Sequence, residues 1–182
     1  MMPEGTMLSN SARARSTARR TAAAFAIAAS CFLIALAVAP RANAATFCVL
    51  SPAGCSGTAA GSIETALIGA ALSPGTDRIE IASGNYGDGP WTVANTNPVR
   101  IYGIGPTKPK LTGNLSSAAA VLTIDNAGST VSDVAIEIPA STGKIGLQAG
   151  ANTEAIGVSV TGSGAVNATG IAISSNNASK IE

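Results

Sequence analysis

The stretch "VLTIDNAGSTVSDVAIEIPASTGKIGLQAGANTEAIGVSV", residues 121–160, carries the same short phrases twice. Val134 and Ile136 recur as Val158 and Val160, 24 residues later, and Val131 recurs as Ala155 at the same distance. Leu122 and Ile124 find counterparts in Ile145 and Leu147, 23 residues on, and again in Ile171 and Ile173. Ile181 keeps the phase of Val131 and Ala155. Two extra residues separate the last copies, and they are assigned to one outward turn, "EIPASTGK" in one copy and "TGSGAVNATG" in the next. Only outward turns can absorb insertions in a stacked array. A period near 24 with several short strands per turn predicts a parallel β-helix. Each strand would then pair with its equivalents in the coils above and below, at about 4.8 Å per coil. Like residues would pile into columns, Leu122–Ile145–Ile171 being one. The rival is an antiparallel sandwich or barrel, which also shows many short strands at roughly 8–12-residue spacing.

Upstream, "DRIEIASGNYGDGPWTVANTNPVRIYGIG" (77–105) reads as three short strands carried by Ile79 and Ile81, Trp91 and Val93, and Val99 and Ile101. "GNYGDGPW" (84–91) between them reads as a Gly-rich turn, with Trp91 packing over the end of the coil. Before these, "SIETALIGAAL" (62–72) places Ile63, Ala66, Leu67, Ala70 and Ala71 at three- and four-residue steps, which predicts an amphipathic helix. Ser62 is its expected N-cap, Glu64 favours the first turn, and "SPG" (73–75) ends it.

The N-terminal 44 residues stand apart. "ARARSTARR" precedes an uncharged apolar run, "TAAAFAIAASCFLIALAVAP" (21–40), followed by "ANA" at 42–44. This is the pattern of a cleavable secretory signal peptide, with the cut between Ala44 and Ala45. An uncleaved membrane anchor is the rival, since about 18 apolar residues is the lower limit for a span. From Ala45 onward the chain holds six basic and nine acidic residues, a net charge of −3. It leaves no basic patch for nucleic acid. Membrane contact is expected only through the export signal. Removing the leader also removes Cys31, leaving Cys48 and Cys55 as a pair in "CVLSPAGC". In an exported chain an even pair predicts a disulfide. Two thiols in a protein without histidine make a poor metal site.

The segment from Ser62 to about Gly105, helix then "GTDRIEIASGNY" then "PVRIYGIG", resembles the N-terminal entry of exported right-handed parallel β-helix proteins of the pectate-lyase-like superfold. "VSDVAIEI" and "AIGVSV" are similar to coil strands of that group. The resemblance implies an all-β, right-handed parallel β-helix of about three coils over 76–182. It also implies a short capping helix over 62–75, and the segment at 45–61 before it is the one expected, from its cysteine pair, to contain the disulfide. Enzymes of this superfold act on polysaccharides by lyase or hydrolase routes.

Hydrolysis would need two facing carboxyl groups, and lyase chemistry a base and usually a Ca²⁺ held by several carboxylates. The chain has no Asp-Asp pair and no Asn-x-Asp, and its acids are scattered. Aligning the repeats sets Glu154 over Thr130, Gly157 over Asp133 and Gln148 over Asp125, so no acidic ladder is expected. The absence of histidine excludes His-based relays within this chain. Arg100 is expected to be solvated, with a lyase base as its alternative role. "GIGP" (103–106) is not a dinucleotide fingerprint, lacking a third Gly and a following helix. Tyr86, Trp91 and Tyr102 are the candidate carbohydrate contacts. Three sequons stand at Asn114, Asn167 and Asn177.

No catalytic constellation, metal site or cofactor is evident, and Ca²⁺ enters only with the lyase alternative. The leading expectation is a secreted or cell-surface structural module that contacts polysaccharide or the cell surface. The alternatives are the N-terminal part of a polysaccharide lyase or hydrolase, and a truncated product without activity. The chain stops at "SNNASKIE" as a strand begins, so a missing C-terminal cap is expected, with self-association at the uncovered last coil.

Overall fold

Alternation of apolar and polar residues dictates strands, and it is clearest in β3 (Asp77–Ala82), where Asp77, Ile79 and Ile81 are buried and the residues between them half-exposed. The computed structural model describes residues 43–94, 96–173 and 180–182. The expected leader therefore lies outside the described residues apart from Asn43 and Ala44, as does the sequon at Asn177.

From β3 the chain makes β4 (Asn85–Gly89) and β5 (Trp91–Val93), then β6 (Val99–Ile104), β7 (Lys110–Gly113) and β8 (Ala120–Ile124). It continues with β9 (Thr130–Ser132), β10 (Ala135–Ile138) and β11 (Ile145–Ala149), then β12 (Glu154–Ile156), β13 (Ser159–Gly162) and β14 (Thr169–Ile173), and reaches β15 (Lys180–Ile181). Every third strand pairs with its predecessor, always in parallel. The strands so form three sheets. The first runs β3-β6-β9-β12-β15, the second β4-β7-β10-β13 and the third β5-β8-β11-β14. The chain visits first, second and third sheet in turn through four circuits and starts a fifth, where about three coils were expected. These stacked parallel sheets are compatible with a β-helix and leave no place for the antiparallel rival among the described residues.

Side chains stack along the pairing direction. In the first sheet Ile79, Ile101, Val131, Ala155 and Ile181 fall in register. Tyr86, Leu111, Ile136 and Val160 do so in the second. The third sheet corrects the expected column. Leu147 lies on Leu122 and under Ile171, while Ile145 lies between Ala120 and Thr169. A shift of two residues keeps every side chain on its face, so alternation alone cannot separate the two pairings. The same correction sets Gly150, not Gln148, against Asp125. It also moves the two-residue insertion. Ile145 and Thr169 are in register, as are Ile138 and Gly162, so the turn between them has equal length in both copies. The extra residues fall between Ile173 and Lys180.

The corners are made by left-handed backbone. Gly128 and Asn152 (φ +80° and +53°), Asp133 and Gly157 (+55° and +60°), and Gly143 and Asn167 (+67° and +54°) form three pairs, each 24 residues apart. Asn, Asp and Gly tolerate this region best.

"ATFCVL" and the residues after the second cysteine form two strands that the alternation did not disclose. They are β1 (Thr46–Val49) and β2 (Thr58–Ala60), which extend the first sheet beyond β3 in parallel. "NYGDG" (85–89), within the stretch expected as a turn, is β4, because β7 offers it a parallel partner that outweighs the low strand preference of glycine. The helix α1 (Ile63–Leu72) forms as expected. The Ser62 hydroxyl accepts from the Thr65 N–H at 3.1 Å, and the chain leaves the helix at Ser73. Its buried face is Ile63, Ala66, Leu67 and Ala70, packed on β1, β2, β3 and β5, while Ala71 is exposed rather than part of the stripe. Gly69 lets it approach, since a Cβ there would run into the ring of Phe47.

Cys48 and Cys55 are disulfide-bonded, with Cα atoms 6.0 Å apart. The bridge closes the β1–β2 connection beside α1. Replacing both cysteines by serine is expected to cost about 2–3 kcal/mol, read as an earlier urea midpoint without loss of the parallel-sheet circular-dichroism signal.

Candidate functional site

The outward positions of β3 and β6 bring the polar groups of the first sheet together. Arg78 and Arg100 are in register, as are Glu80 and Tyr102. Arg100 is exposed, Tyr102 half-exposed, and the Arg78 guanidinium stands 4.0 Å from the centre of the Tyr102 ring. Arg78 also pairs with Glu80 through Nε and Oε1. The same row continues through Thr130, Glu154 and Lys180. Arg78 thus lies over the Tyr102 ring, and the exposed Arg100 stands two residues before Tyr102 on the same strand.

The other two candidate aromatic contacts are placed differently. Tyr86 is 7 % exposed and Trp91 4 % exposed. The Tyr86 hydroxyl donates to the Ala82 carbonyl at 2.8 Å, and burial raises its pKa. Trp91 lies beneath Leu122 in the third sheet. Of the three, Tyr102 alone is half-exposed. The feature that sequence reasoning missed is Arg78. Its signal was the 22-residue step from "DRIEI" to "VRIYG", which sets the two arginines in register.

Clefts on the described surface include the following. One of about 510 Å³ lies between α1 and β5, lined by Glu64, Ile68, Asp88, Pro90 and Trp91 among others. A second of about 470 Å³ includes Asn114 and Lys144, whose Nζ donates to the Ala118 carbonyl at 2.9 Å. A third of about 310 Å³ holds Lys108 and Asp133. The first is lined by two carboxylates, Glu64 and Asp88, without a basic side chain, the second by no carboxylate, and the third by one carboxylate and one lysine. Glu137 is tied to Lys110 at 2.7 Å, and Glu154 to Lys180 at 3.8 Å. Among the described residues no group of three or more His, Cys, Asp or Glu could hold a metal ion.

The Lys110–Glu137 pair has a pH signature. The ammonium of Lys110, by hydrogen bond and charge, holds the Glu137 carboxyl below its usual range, with a smaller contribution from Ser163. A lowered folded-state pKa gives stability that is present above the unfolded value, about 4.3, and is lost as pH falls through the folded one. Lys110→Met is therefore expected to lower Tm at neutral pH, and the deficit should shrink as the pH falls below the unfolded value of about 4.3, followed by thermal unfolding at a series of pH values.

Scans against protein-family models, curated proteins and solved structures find no match to this chain. Among the described residues no helix is long and apolar enough to cross a membrane, and the disulfide fits an oxidising compartment.

Proposed function

We propose that this chain is an exported, right-handed parallel β-helix module of pectate-lyase-like architecture that binds an anionic polysaccharide on the outer face of its first sheet. The observation that carries the reading is the register of Arg78 with Arg100 beside the half-exposed, guanidinium-capped ring of Tyr102. The exposed guanidinium of Arg100 can pair with a uronate carboxylate in planar, two-bonded geometry, while Arg78, held by Glu80, caps one face of the Tyr102 ring. Parallel sheets in three-strand circuits, the disulfide and the Ala-Asn-Ala leader motif support the architecture and the export.

The test is retention of the processed protein on immobilised uronate-containing and neutral glycans at low and high salt. Salt-sensitive retention on the uronate column is expected, with both Arg100→Ala and Tyr102→Ala eluting earlier. Passage without retention, or retention unchanged in both variants, rejects the assignment. Release of unsaturated or reducing ends, with or without Ca²⁺, would mark the chain as part of a lyase or hydrolase instead.

A further inference from the structure

Asp77 opens β3 with its side chain wholly buried, 0 % exposed. Its Oδ1 accepts one hydrogen bond, from the backbone N–H of Ala45 at 2.7 Å, and its Oδ2 is buried with no partner. A carboxylate shut away from water with one of its two oxygens unpaired is costly, and such a group calls for a reason. Arg78, the next residue, is engaged with Glu80 and Tyr102.

The identity of the donor supplies the reason. Ala45 is the residue that follows the Ala-Asn-Ala motif, and the bond after Ala44 is the expected cleavage point. Ala44 is exposed, so the bond lies at the surface, whereas Ala45 is half-buried and its carbonyl accepts from the Arg78 N–H at 2.8 Å. Residue 45 is thus already docked on β3 beside the carboxylate.

We propose that Asp77 is a receptor for the chain's own α-amino group, and that removal of the leader completes the fold by turning the Ala45 amide into an ammonium facing it. In the cut, water adds across the Ala44–Ala45 peptide bond: its hydroxyl goes to the Ala44 carbonyl carbon, and its hydrogen to the Ala45 nitrogen as the C–N bond breaks. The new Ala44 carboxyl then releases its proton and the Ala45 amine takes one up, so charge balances. One N–H becomes three, enough to serve both Oδ1 and Oδ2, and a positive charge meets a buried negative one. The unprocessed chain keeps a single donor and an unneutralised carboxylate. Processing is thereby coupled to the stability of the first sheet at its β1–β3 junction.

This inference rests on the export reading, and the experiment separates the two. The full chain is expressed with its leader, and the exported product is purified and its first residue sequenced. Ala45 as first residue supports the proposal, and any other first residue overturns it together with the assigned cut. In the Ala45 product the α-amino group is selectively acetylated, which leaves one N–H and no charge. Acetylation is expected to weaken the folding constant at least about tenfold, and to do so far less in Asp77→Asn. An unchanged folding constant after acetylation overturns the lock while leaving export standing. Should Asp77→Asn fail to fold, the α-amino pKa of the unaltered product, read by NMR, decides. It is expected a unit or more above the ordinary value of about 7.7–8.0. An ordinary value overturns the proposal.

Discussion

Leu147→Ala is expected to lower stability by about 3 kcal/mol, and Ile145→Ala, two residues earlier on the same strand, by no more than about 1 kcal/mol. Leu147 is 0 % exposed, sandwiched in register between Leu122 and Ile171, and belongs to the continuous core. Its loss leaves a void that neighbours on both sides cannot close, because each is held by its own strand pairing. Ile145 is half-exposed and stacks on Ala120 and Thr169, so truncation there removes less contact and opens a hole toward water. Urea unfolding of the two variants, with unchanged slopes, checks the contrast. The order of the two effects would be reversed if the column were Leu122–Ile145–Ile171, as spacing alone suggests.

That contrast shows what a sequence of this kind discloses and what it hides. The 24-residue spacing of Val131 with Ala155, and of Ile136 with Val160, is the pairing in the structure. Parallel strands buried on one face repeat their apolar residues at the coil length, so the period is legible. Register in the third sheet is not legible, since "VLTI" and "KIGLQA" offer two same-face alignments of equal apolar quality. Burial of Leu147 over Ile145 depends on where the corner at Gly143 releases the chain. The corners carried a signal that apolar counting passes over: Asp133 and Gly157, or Gly143 and Asn167, recur at the same 24-residue step. β1 and β2 were hidden because short strands are specified by their partner and not by themselves. At the candidate site, Tyr102 could be named from the sequence, but Arg78 becomes its neighbour only through pairing of β3 with β6. Tyr86 and Trp91 show the reverse case, where aromatic rings in a Gly-rich stretch serve the core.

Gly103→Ala is expected to be as damaging as the loss of a core leucine, at about 3 kcal/mol or a fall in Tm of about 10 °C. A Cβ at Gly103 would lie 2.5 Å from Cδ of Pro109 and closer still to the carbonyl oxygen of Asp133. Neither obstacle is a flexible side-chain tip. Pro109 has a fixed ring, and Asp133 is the left-handed corner residue of the next circuit, at φ +55°. Its backbone is further held by a bond from its N–H to the Ile156 carbonyl at 3.0 Å. The methyl group can be admitted only by separating β6 from β9 or by distorting the corner, and either disturbs the row that carries Tyr102 and Ser132. Gly87→Ala is the matched control. It also sits in a strand, but a Cβ there meets nothing within 4 Å, so its effect should stay within about 0.5 kcal/mol. Thermal unfolding of both variants, with glycan-column retention of Gly103→Ala below its Tm, tests a further consequence. Because Arg100, Tyr102 and Gly103 share one strand, binding should weaken under conditions where the protein is still folded.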